Sequence, residues 1–428
     1  MFPLHDHTRR RICVALFFLL GVVPTAAVAA WAIVWHSPWH LRGEVERLGR
    51  ELGVDVAIDG LRHSRPGVVI YEGLKLSDPE TGQTILRCRQ LEATWTSMTG
   101  SQGDSRPAVV LSLPQAEIET AAWDRLAQIL QRRLQGQGGR PELEVRVAAD
   151  DLTLRTGESA QGLTHFDGGI GVLPGGIQAQ ATFRLSGTAS DEPIRVRMVR
   201  NRQITPPANG FELSTGGSEL PGRLLALAIP EVKSLGRDCR YSGYAWSNQT
   251  SAGWEGEMAG RWLGVDMGGL VSGQFPHKLS GTADVTLQRA RFHQGRLEEA
   301  GGVLVTGPGL IGRGLLDAAV DHLRLVRSPQ SAASGDMVPF DCLAVEFAID
   351  AQGLRLAGRC PGAESGTVLA TARGRLLGEP GVQPQPVASL LQTLMPAEAI
   401  QVPAGRQIDW LARHLPVPEA APASRVPK

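Results

Sequence analysis

The feature that most limits this chain is the stretch from Ile12 to Trp35, ICVALFFLLGVVPTAAVAAWAIVW, 24 residues without a charge. At 1.5 Å per residue, a helix of that length spans roughly 36 Å, more than the hydrocarbon core of a bilayer. Pro24 is compatible with such a helix. Trp31, Trp35 and Trp39 sit at its far end, where indoles favour the membrane interface. Arg9, Arg10 and Arg11 precede it. The positive-inside bias then puts residues 1–11 in the cytoplasm and everything after residue 36 across the membrane. The rival reading is a cleaved signal peptide, because Ala27-Val28-Ala29 fits an A-x-A cleavage site. The apolar run continues through Trp35, longer than a signal h-region needs, and this favours a retained anchor.

Charge excludes one large class. The 43 Lys and Arg balance 43 Asp and Glu, so the chain lacks the basic surplus of a nucleic-acid binder. Five cysteines are an odd count with no C-x-x-C spacing, which argues against a zinc site. Cys342 and Cys360 flank a hairpin, but the register of its apolar residues places them on opposite faces, so no disulfide is expected there.

Leu41, Val45, Leu48 and Leu52 form one helical face, started by Ser37-Pro38 and stopped by Gly53. Val54, Val56 and Ile58 then alternate with polar or small residues. Strands are expected at 68–77 and 84–95, joined by the turn Asp78-Pro79-Glu80-Thr81-Gly82. A polar loop covers 97–105, followed by a short strand near Val109, a helix over 121–135 and a linker at 136–141. From Glu142 to Val305 short alternating runs are broken by glycine, consistent with serial hairpins of one long antiparallel sheet. Helices are expected at 221–229 and 313–323. A flexible linker at 328–335 precedes a hairpin over 340–360. Short amphipathic helices follow at 386–395 and 405–415, then a disordered, proline-rich tail.

In that hairpin Leu343, Val345, Phe347 and Ile349 share a face. Opposing them with Cys360, Gly358, Leu356 and Leu354 keeps one apolar side.

Sites for chemistry are scarce. Gly307-Pro308-Gly309-Leu310-Ile311-Gly312 matches the dinucleotide spacing between a strand and a helix. Residues 326–335 lack the acid that would bind a ribose, so a plain strand-to-helix turn is expected. His36 and His40 stand four apart beside the membrane, more consistent with an interfacial pair than a metal site. Asp150-Asp151 and Glu298-Glu299 are adjacent pairs that point to opposite faces of a strand and cannot clamp one ligand. No catalytic, cofactor or metal residues are assigned, and an enzyme is not expected.

The segment after the anchor resembles the N-terminal repeat of the AsmA-like family of bacterial envelope proteins. The shared pattern is a short helix, a V-x-I-x-G strand (Val56, Ile58, Gly60) and a Pro-Gly turn. A V-x-L-x-D-P type strand follows (Leu74, Leu76, Asp78, Pro79), then a strand with a basic-apolar ending (Arg87, Arg89, Leu91). A second stretch, Gly281 to Val285 continuing to Leu316, is similar to the C-terminal part of such proteins. The resemblance implies a single inner-membrane anchor, a periplasmic groove-shaped β-sheet related to chorein-type lipid bridges, and the handling of phospholipid between two membranes.

The expectation is therefore a mainly β protein: an elongated, curved antiparallel sheet with a few short helices behind one transmembrane helix. Its parts would be a cytoplasmic N-terminus (1–11), an anchor (12–35), an α/β repeat (36–113), a helix with linker (114–140) and a β-groove (141–327). A hairpin region (328–377), amphipathic helices (378–415) and a tail (416–428) complete it. Val54, Val56, Ile58, Leu343, Val345, Phe347, Ile349, Leu354 and Leu356 are the expected groove-lining residues. The expected function is binding or shuttling phospholipid acyl chains in outer-membrane homeostasis, with envelope proteins as further partners. The alternative is a structural or assembly scaffold whose concave face is filled by its own helices.

Overall fold

The computed structural model describes residues 6–35, 38–99, 105–134, 143–157, 159–173, 175–188, 190, 192–205, 207–328 and 335–395. The chain is mainly β with few helices. It divides into two compact units, residues 1–160 and 161–428. The division falls some twenty residues beyond the boundary expected at 140, because β6 pairs within the first unit.

The first unit opens with α1 (Asp6–Phe17), a π-helical turn (Phe18–Val22) and α2 (Val23–Trp35). Residues 10–30 are long and apolar enough to cross a membrane, with mean hydropathy 2.5 and no burial. The widened turn directly precedes Pro24, which has no N–H for the next helical bond. Thr25 satisfies its hydroxyl on the Gly21 carbonyl at 2.7 Å. Next comes α3 (Pro38–Leu52), closed by Gly53 at φ 66°, where the Gly53 N–H donates to the Gly49 carbonyl. The expected cap Ser37 lies outside the described residues.

β1 (Asp55–Ala57) and β2 (Gly60–Arg65) share one edge of β3 (Val68–Ser77). β4 (Thr84–Thr99) takes the other edge and pairs onward with β5 (Ser105–Glu119). The bounds of β3 match the sequence pattern. The strand β2 was not expected, since its residues are mostly exposed and carry no apolar alternation. The turn at 78–82 is held by Asp78, whose carboxylate accepts from the Glu80 N–H and the Thr81 hydroxyl.

Expectation and structure part at β6 (Glu144–Thr156). It runs parallel to β5, with α4 (Trp123–Leu134) as the crossover, so the sheet is mixed and not purely antiparallel. A helix between two paired strands is what a parallel connection requires. Thr120 fastens the crossover by donating to the Arg155 carbonyl at 2.9 Å.

Among the described residues the strands of the second unit pair antiparallel. It contains β7 (Ser159–Leu173), β8 (Gly176–Leu185), β9 (Ile194–Asn201), β10 (Ala208–Ser214), β11 (Leu220–Pro221), β12 (Arg240–Thr250) and β13 (Gly253–Asp266). It continues with β14 (Thr282–His293), β15 (Arg296–Thr306), β16 (Gly309–Gly312), β17 (Val326–Arg327), β18 (Met337–Phe340) and β19 (Cys342–Asp350). The last strands are β20 (Gly353–Gly358), β21 (Thr367–Thr371) and β22 (Gly374–Gly378). The lateral order is β7, β8, β9, β10, β12, β13, β14, β15, β19. β20 and β21 both pair with the free edge of β19, and β22 and β17 follow β21. Register shifts between β13, β14 and β15 mark bulges, which bend strands locally.

Among the described residues this unit has three α-helices and a π-helical turn over Gly268–Ser272. The helix expected over 221–229 is only α5 (Gly222–Leu225), followed by a 3-10 turn over Pro230–Leu235. Pro230 starts that turn, since a fixed φ suits a first helical position. α6 (Arg313–Leu323) has the expected bounds. α7 (Ala388–Leu394) lies within the expected 386–395, while the helix expected at 405–415 and the tail lie outside the described residues. The hairpin region belongs to the same core as the strands before it, so 141–327 and 328–377 are not separate bodies.

Candidate functional site: the apolar face of the second sheet

Cross-strand partners share a face of a sheet, so the register sorts every residue of the second unit. One face carries Ile177, Ala179, Ala181 and Phe183 on β8, paired with Arg200, Met198, Val196 and Ile194 on β9. Phe211 and Leu213 on β10 oppose Met198 and Val196. Ala245 on β12 opposes Leu213 and Met258. The same face continues through Trp262, Val285, Ala290, Leu304, Val345, Phe347 and Ile349 to Leu356 and Leu354.

The opposite face is charged and paired with itself. Arg289 binds Glu257 at 2.8 Å, Arg240 binds Glu219 at 3.0 Å, Arg261 binds Asp284 at 3.2 Å, and Arg197 lies 3.9 Å from Glu212. Such exposed pairs contribute about 0–1 kcal/mol each. Their consequence is orientation, since they hold this face toward water. A shallow depression of about 260 Å³ lies here, lined by Trp246, Glu257, Arg289, Arg291 and His293 among others. Its carboxylates are already engaged by Arg289 and by His293, so they are not free to act as a paired acid and base.

The apolar face has two fates. From β13 to β22 it is covered. Leu315, Leu316, Ala319 and Leu323 of α6 are buried in one cluster with Val265, Ile311, Phe340, Ile349, Leu354, Leu369 and Leu377. Leu343, Val345, Phe347 and Leu356 pack against that cluster. The Phe347 ring lies over Gly302, where a Cβ would come within 3.0 Å of it. From β8 to β10 the situation differs. Ala181, Phe183, Val196 and Phe211 are half-buried, Met198 is 38% exposed, and none belongs to the α6 cluster. Tyr241 stands at the boundary, fully buried, with its ring 4.6 Å from Trp262. Its hydroxyl donates to the carbonyls of Tyr244 and Ala259, across the shallow floor made by Gly243 and Gly260.

The expected groove residues therefore belong to cores. Val54 is buried with Ile85 and Ala122, and Val56 packs against them together with Leu126 and Ile129 of α4. Ile58 is buried as well. Leu343, Val345, Phe347, Ile349, Leu354 and Leu356 do share one face in the expected register; Ile349 and Leu354 are buried in one cluster with α6, and the other four pack against it half-buried. Among the described residues the half-exposed part of this face is Ala181, Phe183, Val196, Met198 and Phe211, and a signal was present: Ile194, Val196 and Met198 alternate with Arg195 and Arg197.

The glycine motif is a turn of a different kind. β16 pairs antiparallel with β18 on the far side of α6, unlike the parallel unit that binds dinucleotides. A Cβ on Gly309 would meet the Ser280 carbonyl at 2.2 Å, and one on Gly312 the Lys278 carbonyl at 3.2 Å. Gly309 and Gly312 thus let backbone pack on backbone, while Gly307 has open space around it.

The two cysteines also differ from expectation. All five cysteines are free, yet Cys342 and Cys360 are neighbours: the Cys360 thiol donates to the Cys342 carbonyl at 3.4 Å. The hairpin register ends at Gly358, after which the Cys360 N–H turns to the Thr367 carbonyl, so alternation no longer fixes its side. Burial pushes the Cys360 thiol up to about 12, helped by the adjacent Cys342 thiol, and burial raises Cys239 to about 11.

In the first unit Glu44 links α3 to β3. It accepts from the buried Tyr71 hydroxyl at 2.8 Å and from Arg47 Nε at 2.9 Å. The Arg47 hydrogen bond holds the Glu44 carboxyl below its usual range, outweighing its burial. The His40 and His63 rings lie 5.6 Å apart and tilted by 36°, while His36 lies outside the described residues. Among the described residues no group of three or more His, Cys, Asp or Glu is arranged to hold a metal. Comparison with known proteins returned no match among family models, curated proteins or solved structures.

Proposed function

We propose that this chain is an AsmA-like envelope protein, anchored in the inner membrane by residues 12–35, with its N-terminus cytoplasmic and its bulk periplasmic. In this reading it is not an enzyme. It binds or shuttles phospholipid acyl chains on the uncovered part of the second sheet. The observation that supports it is the strip formed by Ala181, Phe183, Val196, Met198 and Phe211, half-exposed on one face while the other face carries ion pairs such as Arg197 with Glu212. Apolar surface of this kind, left in water, marks a place where an apolar ligand or partner sits. Arg9, Arg10 and Arg11 ahead of the apolar helix support the orientation.

The buried cluster that α6 shares with the β13–β22 part of the sheet favours the scaffold reading there. The test is purification of the full chain in mild detergent followed by mass spectrometry of extracted lipid. Phospholipid should copurify with the wild type and be lost from a Met198→Asp variant of unchanged abundance. Equal lipid in both, or lipid in neither, counts against the reading. A reporter fused after Lys428 should be active only in the periplasm, and cytoplasmic activity would overturn the orientation.

A further inference from the structure

At one end of the uncovered strip, on the same face, the apolar residues give way to a polar rung. Arg200 is the cross-strand partner of Ile177 and of Asn209. Arg200 Nη1 donates to Asn209 Oδ1 at 3.1 Å, and Asn209 Nδ2 donates to Gln249 Oε1 at 3.0 Å. The rung thus crosses β9, β10 and β12. The Gln249 contact fixes the Asn209 amide so that its oxygen faces the guanidinium.

Arg200 differs from the arginines of the charged face. Those bind carboxylates, as Arg197 does Glu212 and Arg289 does Glu257. Among the described residues no carboxylate lies within ion-pair distance of Arg200, and its remaining guanidinium nitrogens have no partner. A half-buried guanidinium with a neutral neighbour and free donors is disposed to take an anionic oxygen in a forked hydrogen bond.

The rung stands at the mouth of a strip of defined length. Met198, Val196 and Ile194 follow Arg200 along β9, a run of roughly 20 Å at 3.3 Å per residue. Ile194, Leu185 and Leu213 are buried at the far end, and on β8 Ile177 and Ala179 are buried beside Arg200 and Met198, so the exposed track lies along β9 and β10. A ligand fitting both features carries its charge at one end and an apolar chain behind it.

Resting on the acyl-chain reading above, we propose that the strip takes an anionic phospholipid end-on, with the headgroup phosphate on Arg200 and an acyl chain running from Met198 toward Ile194. Asn209 and Gln249 act as positioning residues for the guanidinium.

The experiment uses the full chain in detergent and displacement of a fluorescent acyl-chain probe. The competitors are phosphatidylglycerol, diacylglycerol with the same chains, and inorganic phosphate. Phosphatidylglycerol should bind about ten- to a hundredfold more tightly than diacylglycerol. Arg200→Gln should abolish that preference while leaving diacylglycerol binding and the melting temperature unchanged, and Arg200→Lys should keep part of it. Arg197→Gln, on the opposite face, should retain it in full. A preference that survives Arg200→Gln overturns the proposal and leaves the acyl-chain reading standing. Failure of both lipids to displace the probe overturns the acyl-chain reading and the proposal with it. Displacement of phosphatidylglycerol by millimolar inorganic phosphate would show that Arg200 reads a free anion, and the lipid assignment would then fail.

Discussion

From β8 to β12, and again from β13 to β20, the second unit builds an apolar face by the same alternation of side chains. In the later stretch α6 shares one buried cluster with Ile349 and Leu354, and Val345 and Phe347, themselves half-buried, pack against it. In the earlier stretch Met198 keeps 38% of its surface and Val196 and Phe211 remain half-exposed. Connections account for the difference. α6 is held between β16 and β18, and Gly309 and Gly312 of β16 bring the backbone against residues 278–280. The connections between β7, β8, β9 and β10 contain no described helix. An apolar strand face therefore does not say by itself whether it is core or binding surface. What decides is whether the chain supplies an element to cover it.

The largest effect should come from placing a charge on each stretch. Val345→Asp puts a carboxylate under α6 and should cost about 3 kcal/mol or more, depleting the protein from the membrane fraction. Met198→Asp should cost about 0.5 kcal/mol, because the carboxylate stays hydrated. Equal loss of the two variants in an immunoblot of membranes would erase the distinction between the stretches.

Much of this architecture was legible in the sequence where signals are local. The hairpin of 343–356 has the register its apolar alternation demanded, Val345 opposite Gly358 and Phe347 opposite Leu356. α6 begins and ends where its apolar stripe does. Nonlocal choices were harder. The parallel pairing of β5 with β6 follows from α4 between them, but the glycine-rich repeats beyond residue 142 read more simply as hairpins throughout. That the helix at 313–323 packs on the face of Leu343 to Leu356 was left open as the scaffold alternative, because neither segment's pattern names its partner. Cys360 escaped because alternation stops carrying information where a strand leaves its partner.

The glycines that bring α6 into place give an intermediate effect. Gly309→Ala should lower stability by about 1–3 kcal/mol, since the new Cβ meets the Ser280 carbonyl at 2.2 Å and the Phe340 ring at 2.6 Å. Gly307→Ala meets nothing within 4 Å and should be near neutral. Comparable melting temperatures for the two variants would remove the argument that backbone contact seats the helix.

A smaller effect follows from the thiols, which lie in the covered stretch. Cys239 and Cys360 stay protonated in the fold up to about 11 and about 12, against about 8.5 in the unfolded chain. Below pH 8.5 both states hold the proton and the thiols add no pH dependence. Above it the unfolded state alone releases protons, so stability falls as pH rises from about 9 to 11. Cys360→Ala should flatten part of that decline in urea titrations. An unchanged slope would place the thiol in a more polar setting than the core described.

The most direct test compares two phenylalanines on the same face, Phe211 on β10 and Phe347 on β19. A benzophenone amino acid is placed at each position in turn, irradiated in native membranes, and the adducts are weighed by mass spectrometry. Lipid adducts at position 211, with only intramolecular crosslinks at position 347, are the predicted result. Lipid at 347 in equal yield, or none at 211, would contradict the division of this sheet into a core and a binding strip.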